Sequence, residues 1–185
     1  MMKEIKTLNK PYGVPVFLIG FMGSGKTTTG RQLAENLLYN FADLDMLVEE
    51  QEGLPITEIF ARKGEDYFRR AETAVLESLL ERKKLVVACG GGTPCFHDNM
   101  KKMKSAGITI YLKLSPALLA GRLSGEHSAR PLVAGMQGDD LKNHVRKLLA
   151  GREGWYRQSD LVYDAGNFCL DELTRLVTSL RSSIE

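Results

Sequence analysis

The sequence contains few cysteines, little net charge and no long apolar run. Its three cysteines, Cys89, Cys95 and Cys169, form no C-x-x-C pair, which argues against a disulfide framework or a zinc site and favours a reducing, cytoplasmic location. Lysine and arginine total 25 against 23 aspartates and glutamates, so the net charge of +2 gives no reason to expect nucleic acid or a membrane surface as a partner. No apolar stretch approaches the length of a membrane span.

Length and composition predict one globular domain. The 185 residues are 43% hydrophobic and 26% charged, which is ordinary for a soluble fold. Residues 1–13 are polar and lack the apolar core of a signal peptide, so we expect a frayed lead-in before the first strand. No repeat, low-complexity tract or linker divides the chain. We therefore expect a single domain over 1–185. As a separate expectation, we take the protein to be a monomer.

Short apolar segments alternate with amphipathic ones along the chain. The apolar segments predict five buried strands, at 14–20, 40–45, 84–92, 108–114 and 161–166. Segments with helical spacing predict helices at 27–39, 65–84, 115–123, 141–158 and 170–185. This alternation predicts an α/β fold with a parallel sheet between two layers of helices. In such sheets, ligands bind beyond the carboxyl ends of the strands.

The segment GFMGSGKTTTG, at 20–30, matches the phosphate-binding pattern G-x-x-x-x-G-K-[ST]. It lies between a predicted strand and a predicted helix, which is the context this pattern requires; the alternative is a chance match in a glycine-rich turn. Backbone N–H groups of such a loop surround an anion at a helix N-terminus, a lysine reaches the β and γ phosphates, and a hydroxyl suits Mg²⁺. The candidate nucleotide-binding residues are Gly23, Ser24, Gly25, Lys26, Thr27 and Thr28.

Acids and glycines follow two further predicted strands. If 40–45 is a strand, Asp43 and Asp45 lie on the same face, where one could support a metal and the other accept a proton from an attacking hydroxyl. The alternative is that both acids cap the next helix. The run Gly90–Gly92 is typical of a loop where the backbone approaches a ligand closely, although a simple turn would need only one glycine.

Three arginines are candidate anion-binding residues. Arg69 lies on a predicted amphipathic helix near Glu72, Arg130 lies in the polar segment 124–140, and Arg152 lies near the single tryptophan. Any one of them could be a solvated surface charge. Arginine nevertheless binds carboxylates through two hydrogen bonds and neutralises a phosphoryl group during transfer. We interpret the polar segment as a mobile lid that carries Arg130 and excludes water.

Taken in order, the segments GFMGSGKTT, DLD, FARKGEDYFRRAE, CGGG, ARPL and REGWY resemble the shikimate kinase family over roughly 14–180. The resemblance implies ATP- and Mg²⁺-dependent phosphorylation of the 3-hydroxyl of shikimate to shikimate 3-phosphate, a step of aromatic amino acid biosynthesis. It also implies a P-loop, nucleoside-monophosphate-kinase-like three-layer sandwich with a parallel sheet in the order 2-3-1-4-5. A substrate-binding segment at about 46–75 and a lid at about 123–138 belong to this expectation.

The resemblance also implies roles for individual residues. For catalysis and metal binding, Lys26 and Arg130 resemble the phosphate-binding cations, Thr27 and Asp43 the metal residues, and Asp45 the base that binds the substrate hydroxyls. For substrate binding, Arg69 and Arg152 resemble the pair that binds the carboxylate, Gly91 and Gly92 the backbone contact, and Arg122 a residue near the adenine.

One segment departs from the family pattern, and two other functions stay open at this point. Where the family has R-x-P-x-Y, this chain has Gly154 and Trp155 in place of the proline and its neighbour, while Arg152 and Tyr156 keep their places. We expect this change to affect the local backbone shape more than the role of Arg152. A gluconate-type kinase would share the phosphate loop but not the combination of later motifs. A nucleotide switch without transfer activity would be expected to carry an N-K-x-D motif, and NKPY at 9–12 lacks the aspartate and precedes the first strand. A pseudo-enzyme would be expected to lose Lys26 or its acid, and this chain keeps both.

Overall fold

The computed structural model describes residues 10–125 and 136–180. Within these ranges the strands are β1 (Val16–Ile19), β2 (Asn40–Asp43), β3 (Leu85–Ala88), β4 (Ile108–Lys113) and β5 (Leu161–Asp164). The helices are α1 (Lys26–Leu37), α2 (Leu44–Glu52), α3 (Ile56–Lys63), α4 (Glu65–Leu79), α5 (Asn99–Ala106), α6 (Pro116–Gly125), α7 (Gly138–Tyr156) and α8 (Leu170–Ser179). Short 3-10 turns cover Thr93–Cys95 and Ala165–Asn167. None of the helices described is both long and apolar enough to cross a bilayer.

The five strands form one parallel sheet in the order β2-β3-β1-β4-β5, which confirms the predicted fold class. In the central β1 and β3 every residue is buried, because helices cover both faces of the sheet. The register pairs Phe17 with Val87 on one side and with Thr109 on the other. All strand carboxyl ends therefore meet at one edge, where the phosphate loop, Asp43 and the glycine run emerge.

The expectation that Asp45 lies on a strand beside Asp43 is wrong. Strand β2 ends at Asp43, and Asp45 lies in the first turn of α2. The cause is local: Oδ1 of Asp43 accepts hydrogen bonds from the backbone N–H groups of Asp45 at 3.1 Å and Met46 at 3.4 Å, which caps the helix. The alternative of helix capping is thus correct for Asp43, and α2 begins earlier than the strand pattern allowed.

Other boundaries also differ from the sequence pattern. Helix α5 was not predicted, because its segment NMKKMKSA turns only a narrow face inward, with Met100 and Met103 in the core. Helix α4 ends at Leu79, five residues before the predicted end. In the lead-in, Lys10 donates its backbone N–H to the Leu180 carbonyl at 3.3 Å. Most of the predicted lid, 123–138, lies outside the described residues, although α6 reaches residue 125 and α7 begins at residue 138.

Candidate active site

The phosphate loop joins β1 to α1 in the predicted position. Gly25 immediately precedes α1 with a left-handed φ of 88°, a conformation that favours glycine, and Gly23 has a φ of 77°. The ammonium of Lys26 donates to the carbonyls of Gly20 at 3.0 Å and Phe21 at 2.9 Å. The loop therefore holds the lysine amine against its own backbone, next to the N-terminus of α1. A glycine-rich loop at a helix N-terminus is a site for anionic phosphates.

Thr27 and Asp43 bring two oxygens together at the start of α1 and the end of β2. The Thr27 hydroxyl donates to Oδ2 of Asp43 at 2.7 Å. Asp43 thus uses one carboxylate oxygen to cap α2 and turns the other toward the phosphate loop. Oxygen donors of this kind suit Mg²⁺, which is bound through one or two protein oxygens together with substrate phosphates and water.

A cavity of about 390 Å³ opens above the phosphate loop. Its lining includes the predicted nucleotide residues Gly23, Gly25, Lys26, Thr27 and Thr28, together with Asp43, Asp45, Cys89, Gly91 and Arg122. Ser24 is buried within the loop, 2% exposed. Arg122 donates from Nη1 to the Gly23 carbonyl at 3.1 Å, so it lies on the phosphate loop itself.

A second cavity, of about 350 Å³, lies between the glycine run and helices α2 to α4. Asp45 and Gly91 line both cavities, so the two meet there. The lining of the second cavity includes both predicted carboxylate-binding arginines, Gly90–Gly92, Glu72, Phe60, Phe68 and Met22. The two cavities are therefore adjacent, one lined by the phosphate loop and the other by arginine and aromatic side chains.

Arg69 is buried in the wall of the second cavity, only 4% exposed. Its Nη1 donates to Glu72 at 2.9 Å, while Nε and Nη2 donate to Glu65 at 3.1 and 2.9 Å. Its guanidinium carbon lies 5.0 Å from the Phe68 ring centroid and 4.5 Å from that of Phe96. Burial opposes the charged form, but the Glu72 and Glu65 carboxylates raise the Arg69 pKa, so the guanidinium in the cavity wall stays charged.

Arg152 and Tyr156 lie one turn apart on α7 and both face the glycine run. The guanidinium of Arg152 lies 5.9 Å from the Phe21 ring centroid. The Tyr156 hydroxyl donates to the Gly91 carbonyl, and its pKa is raised by burial. Helix α7 is continuous through Gly154, so Arg152 and Tyr156 lie on one regular helix, and Trp155 is exposed. The tyrosine contact therefore joins α7, which carries Arg152, to the glycine run on the other side of the cavity.

The family model for shikimate kinase matches residues 22–177. A shikimate kinase from Azobacteroides pseudotrichonymphae genomovar. CFP2 is 42% identical over 149 residues, which are 80% of this chain and 88% of that protein. The chain belongs to the shikimate kinase family. The family match rejects a nucleotide switch without transfer activity and favours shikimate over gluconate as the acceptor.

Two solved shikimate kinase structures share the fold. The 1.7 Å crystal structure of the Bacteroides thetaiotaomicron shikimate kinase superposes with a TM-score of 0.83 at 33% identity, covering 90% of this chain and 97% of that chain. The Acinetobacter baumannii shikimate kinase in complex with shikimate superposes with a TM-score of 0.80 at 35% identity, covering 90% and 92%. The chain is therefore a kinase with the expected α/β architecture, and ATP is the co-substrate of its family.

The structure brings together all the residues predicted for the site that it describes; Arg130 lies outside the described residues. Sequence reasoning missed two contacts, those of Thr93 with Glu72 and of Tyr156 with Gly91. Spacing gives no signal for either contact. The one sequence feature that points to Thr93 is its position directly after the glycine run.

Proposed function

We propose that this chain transfers the γ-phosphoryl group of ATP to the 3-hydroxyl of shikimate, giving shikimate 3-phosphate for chorismate and aromatic amino acid biosynthesis. The observation that supports this most strongly is the shared wall of the two cavities at Asp45 and Gly91. A phosphate-binding cavity beside an arginine-lined one suits a phosphoryl donor and a small anionic acceptor. Shikimate, with one carboxylate and several hydroxyls, matches that acceptor.

On the donor side, the loop glycines, Ser24 and Thr28 bind the phosphates, and Lys26 turns its amine from the loop carbonyls to the β and γ phosphates. The oxygens of Thr27 and Asp43 fit Mg²⁺. Among the described residues no group of three or more His, Cys, Asp or Glu side chains could hold a metal alone, which agrees with a metal bound largely by phosphates and water. When bound, Mg²⁺ would neutralise charge on the phosphates.

On the acceptor side, the segment 46–75 and the glycine run bind shikimate. Arg69 and Arg152 bind its carboxylate, since a buried guanidinium gives bidentate hydrogen bonds to a planar anion. Gly91 and Gly92 contact the ring through the backbone. The aromatic side chains around Arg69 exclude water from this ion pair, which strengthens it.

Asp45 acts where the two cavities meet. Its carboxylate accepts hydrogen bonds from the shikimate hydroxyls and takes the proton of the 3-hydroxyl as that oxygen attacks the γ-phosphorus. Most of the acceleration is expected from positioning and charge stabilisation rather than from proton removal alone.

The segment 123–138 is proposed as a lid from its sequence. Arg130, which lies outside the described residues, would bind the phosphates from the segment 123–138, while Arg122 would lie against the adenine. Slower hydrogen exchange in that segment with both substrates bound is the expected result, and unchanged exchange would reject a lid.

We also propose that the enzyme is cytoplasmic and monomeric. Size-exclusion chromatography with light scattering tests the oligomeric state.

Phosphoryl transfer watched by ³¹P NMR tests the proposed function. ATP and Mg²⁺ are mixed with the protein and shikimate, and in parallel with gluconate, a nucleoside monophosphate or water alone. A new phosphomonoester signal with shikimate only is expected. A signal with gluconate instead, or ATP bound without transfer to shikimate, would reject the proposal while leaving the fold unchanged.

A further inference from the structure

Thr93 ends the glycine run and attaches it to α4. Its backbone N–H donates to the Gly90 carbonyl at 3.2 Å, which closes a turn around Gly91 and Gly92. Its hydroxyl donates to Oε1 of Glu72 at 2.5 Å. Thr93 and Glu72 are both 0% exposed, so removing the hydroxyl would leave a buried carboxylate oxygen without this donor.

The two carboxylate oxygens of Glu72 are divided between Thr93 and Arg69. Oε1 accepts from the Thr93 hydroxyl, and Oε2 accepts from Nη1 of Arg69 at 2.9 Å. The hydrogen bond at Oε1 opposes rotation of the carboxylate about its last side-chain bond and so favours the orientation in which Oε2 faces the guanidinium. The second anchor of Arg69 is Glu65, which accepts two hydrogen bonds from the arginine, but its side chain is 44% exposed and solvent weakens such an ion pair.

We propose that Thr93 is a positioning residue for shikimate: its hydroxyl orients Glu72, and Glu72 in turn holds the Arg69 guanidinium toward the substrate carboxylate. This inference rests on the proposed function, in which Arg69 binds that carboxylate. The turn closed by Thr93 also carries Gly91 and Gly92, so one residue aligns the arginine with the backbone on the other side of the substrate.

The position of Thr93 gives the inference a specific kinetic consequence. Neither Thr93 nor Glu72 lines the cavity above the phosphate loop. Loss of the Thr93 hydroxyl is therefore expected to leave nucleotide binding intact and to weaken the binding of shikimate alone. A threonine that only supported the fold would instead lower stability without separating the two substrates.

The test compares two threonine-to-valine variants. Thr93→Val removes the hydroxyl and keeps the volume. Thr109→Val is the matched control, because the Thr109 hydroxyl donates to Oδ2 of the buried Asp160 at 2.9 Å near the amino end of β4, away from both cavities. Thr93→Val is expected to raise the KM for shikimate about tenfold, the effect of losing one hydrogen bond to a charged group, with the KM for ATP unchanged. Thr93→Ser is expected to restore the KM for shikimate, whereas Thr109→Val lowers thermal stability and changes neither KM.

Two kinetic results would overturn the inference. One is a KM for shikimate in Thr93→Val equal to that of Thr109→Val; the other is an equal rise in both KM values. If Thr93→Val does not fold, Thr93→Ser and Thr93→Ala are compared, and the same KM for shikimate in both would equally reject a role for the hydroxyl. Failure of the proposed function is a separate outcome, because the wild-type protein itself would then not phosphorylate shikimate.

Discussion

Gly92 lies directly against the guanidinium of Arg69. A Cβ atom added at Gly92 would be 2.6 Å from Nη2 and 2.7 Å from Nη1 of Arg69. The backbone of Gly92, with φ −98° and ψ −17°, is open to alanine, so the conflict is steric only. We expect Gly92→Ala to displace the end of the arginine side chain and to weaken shikimate binding by roughly 1–3 kcal/mol, with ATP binding little changed. Titration calorimetry with each substrate measures both affinities.

The control for Gly92→Ala is an alanine in open space. A Cβ at Gly121 meets no described atom within 4 Å. Gly121→Ala is therefore expected to keep both affinities. An unaltered shikimate affinity in Gly92→Ala would mean that shikimate binding does not depend on the present position of the Arg69 guanidinium.

Asp45→Asn should slow phosphoryl transfer without preventing ATP binding. Asp45 lines both cavities, and the amide keeps the shape of the carboxylate but cannot take a proton. We expect the kcat to fall by about 10²–10⁴-fold. A coupled assay gives the kcat, and fluorescence titration gives the ATP affinity. The control is Asp66→Asn, an exposed acid in the first turn of α4. Near-normal turnover in Asp45→Asn would show that the Asp45 carboxylate is not required for phosphoryl transfer.

Arg69→Ala is expected to affect binding and stability together. Loss of the guanidinium should cost about 2–5 kcal/mol of shikimate binding. It also leaves Glu72, 0% exposed, as a buried charge without its cation, so the free energy of unfolding should fall by about 3–5 kcal/mol. Urea titration measures the second effect. The neighbouring, exposed Arg70 provides the control Arg70→Ala. Equal losses of shikimate affinity in the two variants would contradict the assignment of Arg69 to the substrate carboxylate.

Local patterns in the sequence predicted the strands, the phosphate loop and the glycine run, since each depends on neighbouring residues. The sheet order depends on pairing between distant segments and was expected only from the family resemblance. Asp45 was misplaced because a strand pattern and a capping aspartate compete at Asp43, and the cap determines where α2 begins. Thr93 and Glu72 are 21 positions apart, and Tyr156 and Gly91 are 65 apart, so only the folded chain shows these contacts.

The three cysteines should differ in reactivity toward iodoacetamide. Burial raises the pKa of the Cys89 thiol far above its ordinary value, so the reactive thiolate is scarce there. Burial also raises the pKa of Cys95, which is partly exposed, while Cys169 is exposed. Mass spectrometry of the native protein should find Cys169 modified first and Cys89 last, with all three modified in urea. Rapid labelling of native Cys89 would contradict its burial.

Gly154→Ala should stabilise the enzyme without changing its kinetics. Gly154 is exposed within α7, and an added Cβ meets no described atom within 4 Å. Alanine restricts the unfolded chain more than glycine and favours the helix by about 0.5–1 kcal/mol. The melting temperature should therefore rise by about 1–4 °C for a domain of this size. Both KM values should stay at wild-type levels because Arg152 and Tyr156 keep their positions on the helix. A higher KM for shikimate in this variant would instead show that α7 needs a glycine where the family has proline, and that the backbone at Gly154 takes part in placing Arg152.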